Sequence, residues 1–543
     1  MKLRRITASF LSVAMVTALL TACGDNKATD TQAAQTSSTA TQISTSATKE
    51  DPFKEKMEIS VATWDIDKAV AGGENDEVLQ TIYKKFNITI KPVNITWSDY
   101  TDKINLWASS GQLPDLFSAD KTGSPIYRQW ATQGVIHALP DDLSNYADLD
   151  KIISSPDVQA LKVDGKIYCI PRSSYSKPGD WQLDRAVLYR WDWAQKLGIT
   201  KEPETWDEFA TLLKAYTSGD PESKGKPIGL TVITPLYLEA LMLSWNPGVV
   251  DSGGANNWMK EDGKWIPAFF SKTTLPGIKA IKALYSDGLI DKDFALIKGE
   301  EGTDKFASGR AGAIVYSSAL THLNGFIANK WSKTYPDKNF TECVKVLKIP
   351  AAPDGNRYHF TIPTYWSEAY INGNADDKKV ERILSLANYL FSDEGRNLIK
   401  YGIEGKDFNV DASGKITVVN PGANMTEKYP SLNSIPYLFH WSQFVESELT
   451  SPTYTDELRA AVKQEYDWYN ANTKDTPIDF TVNSISTPAK DKLVINHKDD
   501  MAKLIISKGD VEKEYKEIVD GYNAKGLATA IDEVTAAAAK IGK

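Results

Sequence analysis

Histidine and cysteine are what this chain of 543 residues has least of, with five of the first and three of the second. No His/Cys cluster has the spacing of a zinc site, so structural or catalytic zinc is not expected. No Asp-x-Asp-x-Asp-Gly run occurs; Asp287–Asp293 holds three aspartates without that spacing. Neither a metal nor any other cofactor is therefore expected. The chain has no Walker loop and no visible Ser/His/Asp set, and it is read as a non-enzyme without an ATPase of its own. After the first 24 residues no apolar run approaches the roughly 20 residues a membrane span needs, since Leu236–Trp245 is interrupted by Glu239. Positive charge is short as well, 62 Lys and Arg against 71 Asp and Glu for a net charge of −9. That balance argues against nucleic acid or anionic lipid as the partner.

What is present begins at the N-terminus. Lys2, Arg4 and Arg5 precede an uncharged stretch from Ile6 to Gly24 with an apolar centre at Phe10–Leu20, the layout of a secretory signal. Leu20-Thr21-Ala22-Cys23 resembles the lipobox of bacterial lipoproteins, in which the cysteine is acylated and becomes the new N-terminus. Residues 1–22 are then the signal, Cys23 the lipidation site, and the protein is held on the extracellular face of the cell membrane. Acyl chains suffice for this, at about 0.8 kcal/mol per buried CH₂. An ordinary signal peptide with an accidental cysteine is the alternative. In Asn26–Lys49, 19 of 24 residues are Ser, Thr, Ala or Gln. Such a segment buries too little to order itself, and residues 23–55 read as a tether reaching roughly 25–30 Å.

The remaining length suits two or three domains. Cys169 and Cys343 are left, as either a disulfide or two buried thiols. Aromatic residues are many: 15 Trp, 24 Tyr and 17 Phe. Their flat faces with polar edges suit sugar rings as well as cores. The alternation Met57–Trp64 predicts a strand, followed by a helix at 75–86, a strand at 88–95, a helix at 98–110 and a strand at 113–118. This is the grammar of a parallel α/β lobe, whose ligands gather at strand carboxyl ends, here Trp64-Asp65 and Phe117–Asp120. Thr205 and Glu208 have capping-box spacing, Asp262-Gly263 marks a hairpin, and Leu236–Trp245 reads as a helix. Strands are expected at 228–232, 309–316, 344–349 and 360–371, with helices at 378–391 and 393–401 and four more after residue 455.

Several phrases carry a resemblance: Leu113-Pro-Asp-Leu-Phe, Gly165-Lys-Ile-Tyr-Cys-Ile-Pro, Val187-Leu-Tyr-Arg-Trp-Asp-Trp, Pro203-Glu-Thr-Trp-Asp-Glu-Phe, Phe306-Ala-Ser-Gly-Arg-Ala-Gly-Ala and Tyr401-Gly-Ile-Glu-Gly-Lys-Asp-Phe. In this order, behind Cys23 and its tether, the chain resembles the family 1 extracellular solute-binding proteins of carbohydrate ABC importers. The resemblance implies a bilobal, type II periplasmic-binding-protein-like α/β fold. Two lobes would be joined by crossing strands near Ala186–Asp192, Phe360–Ile371 and 420–435. The lobes would comprise residues 56–187 with 359–425, and 188–358 with 426–543, the last part including a helical C-terminal extension. It also implies a sugar or oligosaccharide ligand, ABC permease subunits as membrane partner, and a monomer.

A clamp for sugar needs aromatic faces under the ring and polar groups at its edge. Trp64, Tyr175, Trp181, Tyr316, Trp366 and Trp441 are the candidate platforms, and Asp65, Asp120, Arg172, Arg190 and Glu368 the candidate edge contacts. Asn246, Asn324 and His322 are weaker candidates. Arg190 stands out, because a charge within Val-Leu-Tyr-Arg-Trp needs a partner. The competing readings are a surface-anchored glycoside hydrolase, which requires two carboxylates about 5–9.5 Å apart, and a carbohydrate adhesin or sensor without transport.

Overall fold

In Met57–Ala62 (β1) the side chains of Ile59 and Val61 enter a core while Glu58 faces solvent, the two-residue period of a strand. The computed structural model describes residues 53–250, 257–298, 300–421, 423–441 and 445–543. Cys23, the signal segment and the tether as far as residue 52 lie outside the described residues. Phe53–Glu55, placed at the end of the tether from sequence, instead packs on the first lobe: Phe53 sits edge-on to Phe86 at 5.6 Å, and its carbonyl accepts from Asn87 at 2.9 Å.

The first lobe continues with β2 (Ile88–Pro92), β3 (Leu116–Ala119) and β4 (Ile170–Ser173). The second lobe follows with β5 (Ala186–Arg190), β6 (Ile228–Val232), the hairpin β7 (Trp258–Glu261) and β8 (Lys264–Pro267), β9 (Ala311–Tyr316) and β10 (Val344–Val346). The chain then returns to the first lobe in β11 (Tyr365–Ile371) and a short hairpin, β12 (Phe408–Val410) with β13 (Ile416–Val418). One sheet has the order β2-β1-β3-β11-β4 and the other β10-β5-β9-β6. β1 runs parallel to β2 and β3, whereas β11 runs antiparallel to β3 and β4.

Each sheet has its own apolar core. One gathers Ile59, Phe117, Tyr370 and Leu390, and the other Leu188, Leu230, Ile314 and Phe306. A third, smaller cluster joins Trp258 and Trp265 of the β7–β8 hairpin to Val482, Ala530, Val534 and Ala538. The Ala-rich helix Leu527–Lys540 thereby buries its apolar stripe.

Three passages connect the lobes. The first runs between Ser173 and Ala186, so Ala186–Arg190, expected at the crossing, is already a strand of the second sheet. The second ends at Tyr365: Phe360 and Ile362 belong to the second core and Tyr365 to the first. The third comes later than 420–435, because Leu432, Ile435, Leu438 and Phe439 are still in the first core and Leu458 is in the second. Residues 426–440, assigned to the second lobe from sequence, therefore belong to the first.

Local signals behave as their chemistry dictates. Thr205 and Glu208 form the reciprocal capping box of helix Trp206–Gly219, and the hairpin turns at Asp262-Gly263, both at positive φ. The helix expected at Leu236–Trp245 is the 3-10 helix Pro235–Ser244. Cys169 and Cys343 are buried free thiols, one in each core.

Candidate functional site

The strands of the first sheet deliver their side chains to one corner. Trp64 lies just past the carboxyl end of β1, Asp120 just past β3, and Arg172 near the end of β4. β11 runs the other way, with Glu368 opposite Ala119, so its first residues meet those carboxyl ends. A bulge in β11 between Tyr365 and Glu368 places Ser367 at φ 58°, a left-handed conformation costly for serine. At the bulge Trp366 stays partly exposed between its buried neighbours Tyr365 and Ser367.

Four tryptophans meet there. Trp97 stacks on Trp64 with centroids 4.4 Å apart and planes 14° apart. Trp366 lies 6.1 Å from Trp97 and 6.3 Å from Trp64. Trp441 lies 4.5 Å from Trp366 and meets Trp97 edge-on at 5.8 Å. Tyr100 and Tyr437 extend the group, at 5.2 Å from Trp64 and 5.6 Å from Trp441.

Beneath the rings is Arg172, fully buried. Its guanidinium carbon sits 4.2 Å from the Trp64 centroid and within 5.6 Å of Trp366 and Trp441. It donates to the Ser367 hydroxyl at 2.8 Å and to the Tyr437 carbonyl at 2.9 Å. Burial pushes it down to about 9, opposed by the nearby Glu368 carboxylate. With Arg172 and Trp97 both against it and 1% of its surface exposed, Trp64 is a pedestal rather than a platform. The accessible face belongs to Trp97, half exposed at 50%, with Trp366 and Trp441 partly buried beside it.

The polar rim follows the loop after β3. Asp120 accepts from the Tyr100 hydroxyl at 3.1 Å, and burial with this carboxylate pushes the phenol up to about 12. Glu368 is itself buried. It accepts from the Lys121 amide at 3.0 Å, the Thr122 hydroxyl at 2.5 Å and the Tyr370 hydroxyl at 2.7 Å. Burial pushes its carboxyl up to about 7 against those three donors. Glu368 thus fixes the rim loop. Trp366, Asp120, Thr122 and Gly123 face Asn257, Phe480 and Asn483 of the second lobe across a cleft of about 110 Å³.

The remaining expected residues go elsewhere. Asp65, left-handed at φ 56°, pairs with Lys68 at 2.6 Å. Tyr175 and Trp181 pack edge to face at 4.8 Å in the second core, and the Trp181 indole donates to the Pro363 carbonyl. Those two hold the first crossing together. Arg190 is walled into the second lobe. It bonds Asp192 at 2.7 Å, Glu222 at 2.7 Å and the Tyr335 hydroxyl at 3.0 Å. Tyr316 ends β9 near His322 and Phe326, at 6.2 and 5.9 Å, and no ring contact joins it to the tryptophans. Asn246 is buried and bonds Ala268 and Thr274, a core role. Asn324 lies in helix Leu320–Phe326, and His322 in that helix lies 2.9 Å from the Ser317 hydroxyl. Of the eleven residues, Trp64, Trp366, Trp441, Arg172, Asp120 and Glu368 come together. Trp97, Tyr100 and Tyr437 join them without having been expected. Among the described residues no group of three or more His, Cys, Asp and Glu could hold a metal ion, and no helix is long and apolar enough to cross a membrane.

Known proteins resemble this chain in sequence and in fold. The chain is 28% identical over 336 residues to "Lipoprotein LipO" of Bacillus subtilis, covering 59% of this chain and 62% of that one. It is 28% identical over 251 residues to "Fructooligosaccharide ABC transporter substrate-binding protein FusA" of Streptococcus pneumoniae, covering 45% and 46%. The matches thus span less than two thirds of these relatives' length. The solved alginate-binding protein AlgQ2 without calcium ion superposes with a TM-score of 0.66 at 19% identity, over 89% of this chain and 98% of that one. At that identity the likeness is one of fold, and it is the bilobal fold seen here. A family model described as bacterial extracellular solute-binding protein matches residues 66–397, from the helix after Trp64 to the helices that cover the first sheet. By that match the chain belongs to the bacterial extracellular solute-binding proteins.

Proposed function

We propose that this protein captures an oligosaccharide outside the cell and passes it, chemically unaltered, to the permease of an ABC importer. The observation that carries the reading is the corner of Trp97, Trp366 and Trp441 backed by Arg172, whose Trp366 lines a cleft with one lobe on each side. Indole faces match the apolar C–H patches of a pyranose, and Asp120 is placed to take hydroxyls at its edge. Closing two lobes on the sugar removes competing water, and the ligand shifts the lobes only by its preference for the closed state.

The name of FusA, an oligosaccharide-binding component of an ABC transporter, supports the ligand class and the transport partner. That of LipO supports anchoring through Cys23. The protein would act as a lipid-anchored monomer. A thermal-shift screen of the purified protein against plant and microbial oligosaccharides tests this. At least one should raise Tm by several degrees, because a ligand bound only by the folded state adds RT ln(1 + [L]/Kd). The same sugar should be recovered intact after long incubation. A panel without any shift, or recovery of shortened sugar, contradicts the proposal.

A further inference from the structure

A second groove continues the tryptophan cleft. The two share Thr122, Gly123, Asn483 and Ser484, and the groove, of about 460 Å³, runs on between Ser124–Arg128 of the first lobe and Ile485–Asp499 of the second. Two cations face it from opposite sides. Arg128, on helix Pro125–Thr132, donates through one terminal nitrogen to the Ser484 carbonyl across the cleft. Lys490 donates to the carbonyls of Asn483 and Ile485, each at 2.6 Å, and sits 5.4 Å over the Trp258 ring.

Among the described residues neither cation has a carboxylate within 4 Å. The two also repel each other: burial and the charge of Arg128 push the Lys490 ammonium down, to about 8, against Asp491. Of the acids along the wall, Asp491 is engaged by the Ser486 hydroxyl at 2.5 Å and Asp499 is exposed. Lys490 has spent its donors on carbonyls. Arg128 has not, since a guanidinium carries five N–H groups in a fork suited to a carboxylate.

We propose that this groove is an anion subsite, in which Arg128, with Lys490 opposite, receives a carboxylate-bearing sugar unit of an oligosaccharide whose neighbouring unit lies on the tryptophans. The inference rests on the oligosaccharide reading above and narrows it to acidic glycans. A bound carboxylate offsets the mutual repulsion of the two cations, and because they belong to different lobes it also favours closure. The protein's net charge of −9 makes this local discrimination, not long-range attraction.

Isothermal titration calorimetry with tetragalacturonate and its fully methyl-esterified, neutral counterpart decides the matter. The acidic tetramer should bind at least tenfold more tightly, with an advantage that shrinks as salt rises. Arg128→Gln should reduce that advantage about tenfold and Arg128→Lys by less, while Lys151→Gln, at an exposed lysine outside the groove and paired with Asp148, should leave it in place. Lys490→Gln gives a second reading from the other wall. Equal affinity for the two tetramers, or an advantage that survives both Arg128→Gln and Lys490→Gln, overturns the subsite but leaves the oligosaccharide reading standing. If neither tetramer binds and the oligosaccharide screen is also silent, both readings fall.

Discussion

Arg172 and Arg190 are both buried guanidiniums within short strands, yet they do different work. Arg190 has Asp192 and Glu222 beside it, and its charge is spent within the second lobe. Arg172 has hydroxyl and carbonyl partners and three indole rings, so its charge polarises the aromatic corner from behind. Replacing Arg190 by Met leaves Asp192, whose carboxyl Arg190 holds below its ordinary value, without its main partner, and takes a second cation from Glu222. We expect a loss of about 3–5 kcal/mol in unfolding free energy, read from denaturant curves, with ligand affinity unchanged. Reduced affinity in the folded variant would return Arg190 to the site. The sequence showed that a charge inside Val-Leu-Tyr-Arg-Trp needs a partner. It did not show that the partner was Asp192, two residues on. Trp97 was missed for a related reason: between a strand end and a helix start it carries no period, and only the fold stacks it on Trp64.

At the scale of elements, the site depends on β11 entering the first sheet antiparallel. Strand positions were legible because alternation marks β1 and short apolar runs mark β6 and β9. The bulge at Ser367 was not legible, since nothing in Tyr-Trp-Ser-Glu announces a left-handed serine. Glu368 follows that bulge and ties the sheet to the Lys121–Thr122 rim. Its folded pKa of about 7 exceeds the ordinary 4.5, so the folded state binds the proton more tightly. The associated stability is greatest below about pH 4.5 and is lost as pH rises to about 7, about 3 kcal/mol at 1.36 kcal/mol per unit. Glu368→Gln removes that dependence. Its unfolding free energy relative to wild type should therefore rise by about that amount between pH 4.5 and 7.5. A constant difference would mean that Glu368 is already ionised throughout this range.

At the scale of the molecule, two separately cored lobes are joined by three passages. Two of these carry site residues at their ends: Trp366 where the second enters β11, and Trp441 where the third leaves the first lobe. A sugar held at the aromatic corner therefore lies where the passages leave the first lobe, facing Asn257 and Asn483 of the second lobe across the cleft. The two-lobe architecture was legible in the order of α/β elements and in the phrases shared with a family. The lobe boundaries were not, because residues 426–440 form short helical turns without strong periodicity and only their burial with Phe391 and Leu390 assigns them. The most direct test is calorimetric titration of the best oligosaccharide into wild type, Trp97→Ala and Trp366→Ala. Each substitution should weaken binding about tenfold or more, at least about 1.4 kcal/mol, with the fold intact by circular dichroism. Unchanged affinity in both variants would contradict the account, because the sugar would then be held somewhere other than the tryptophan corner.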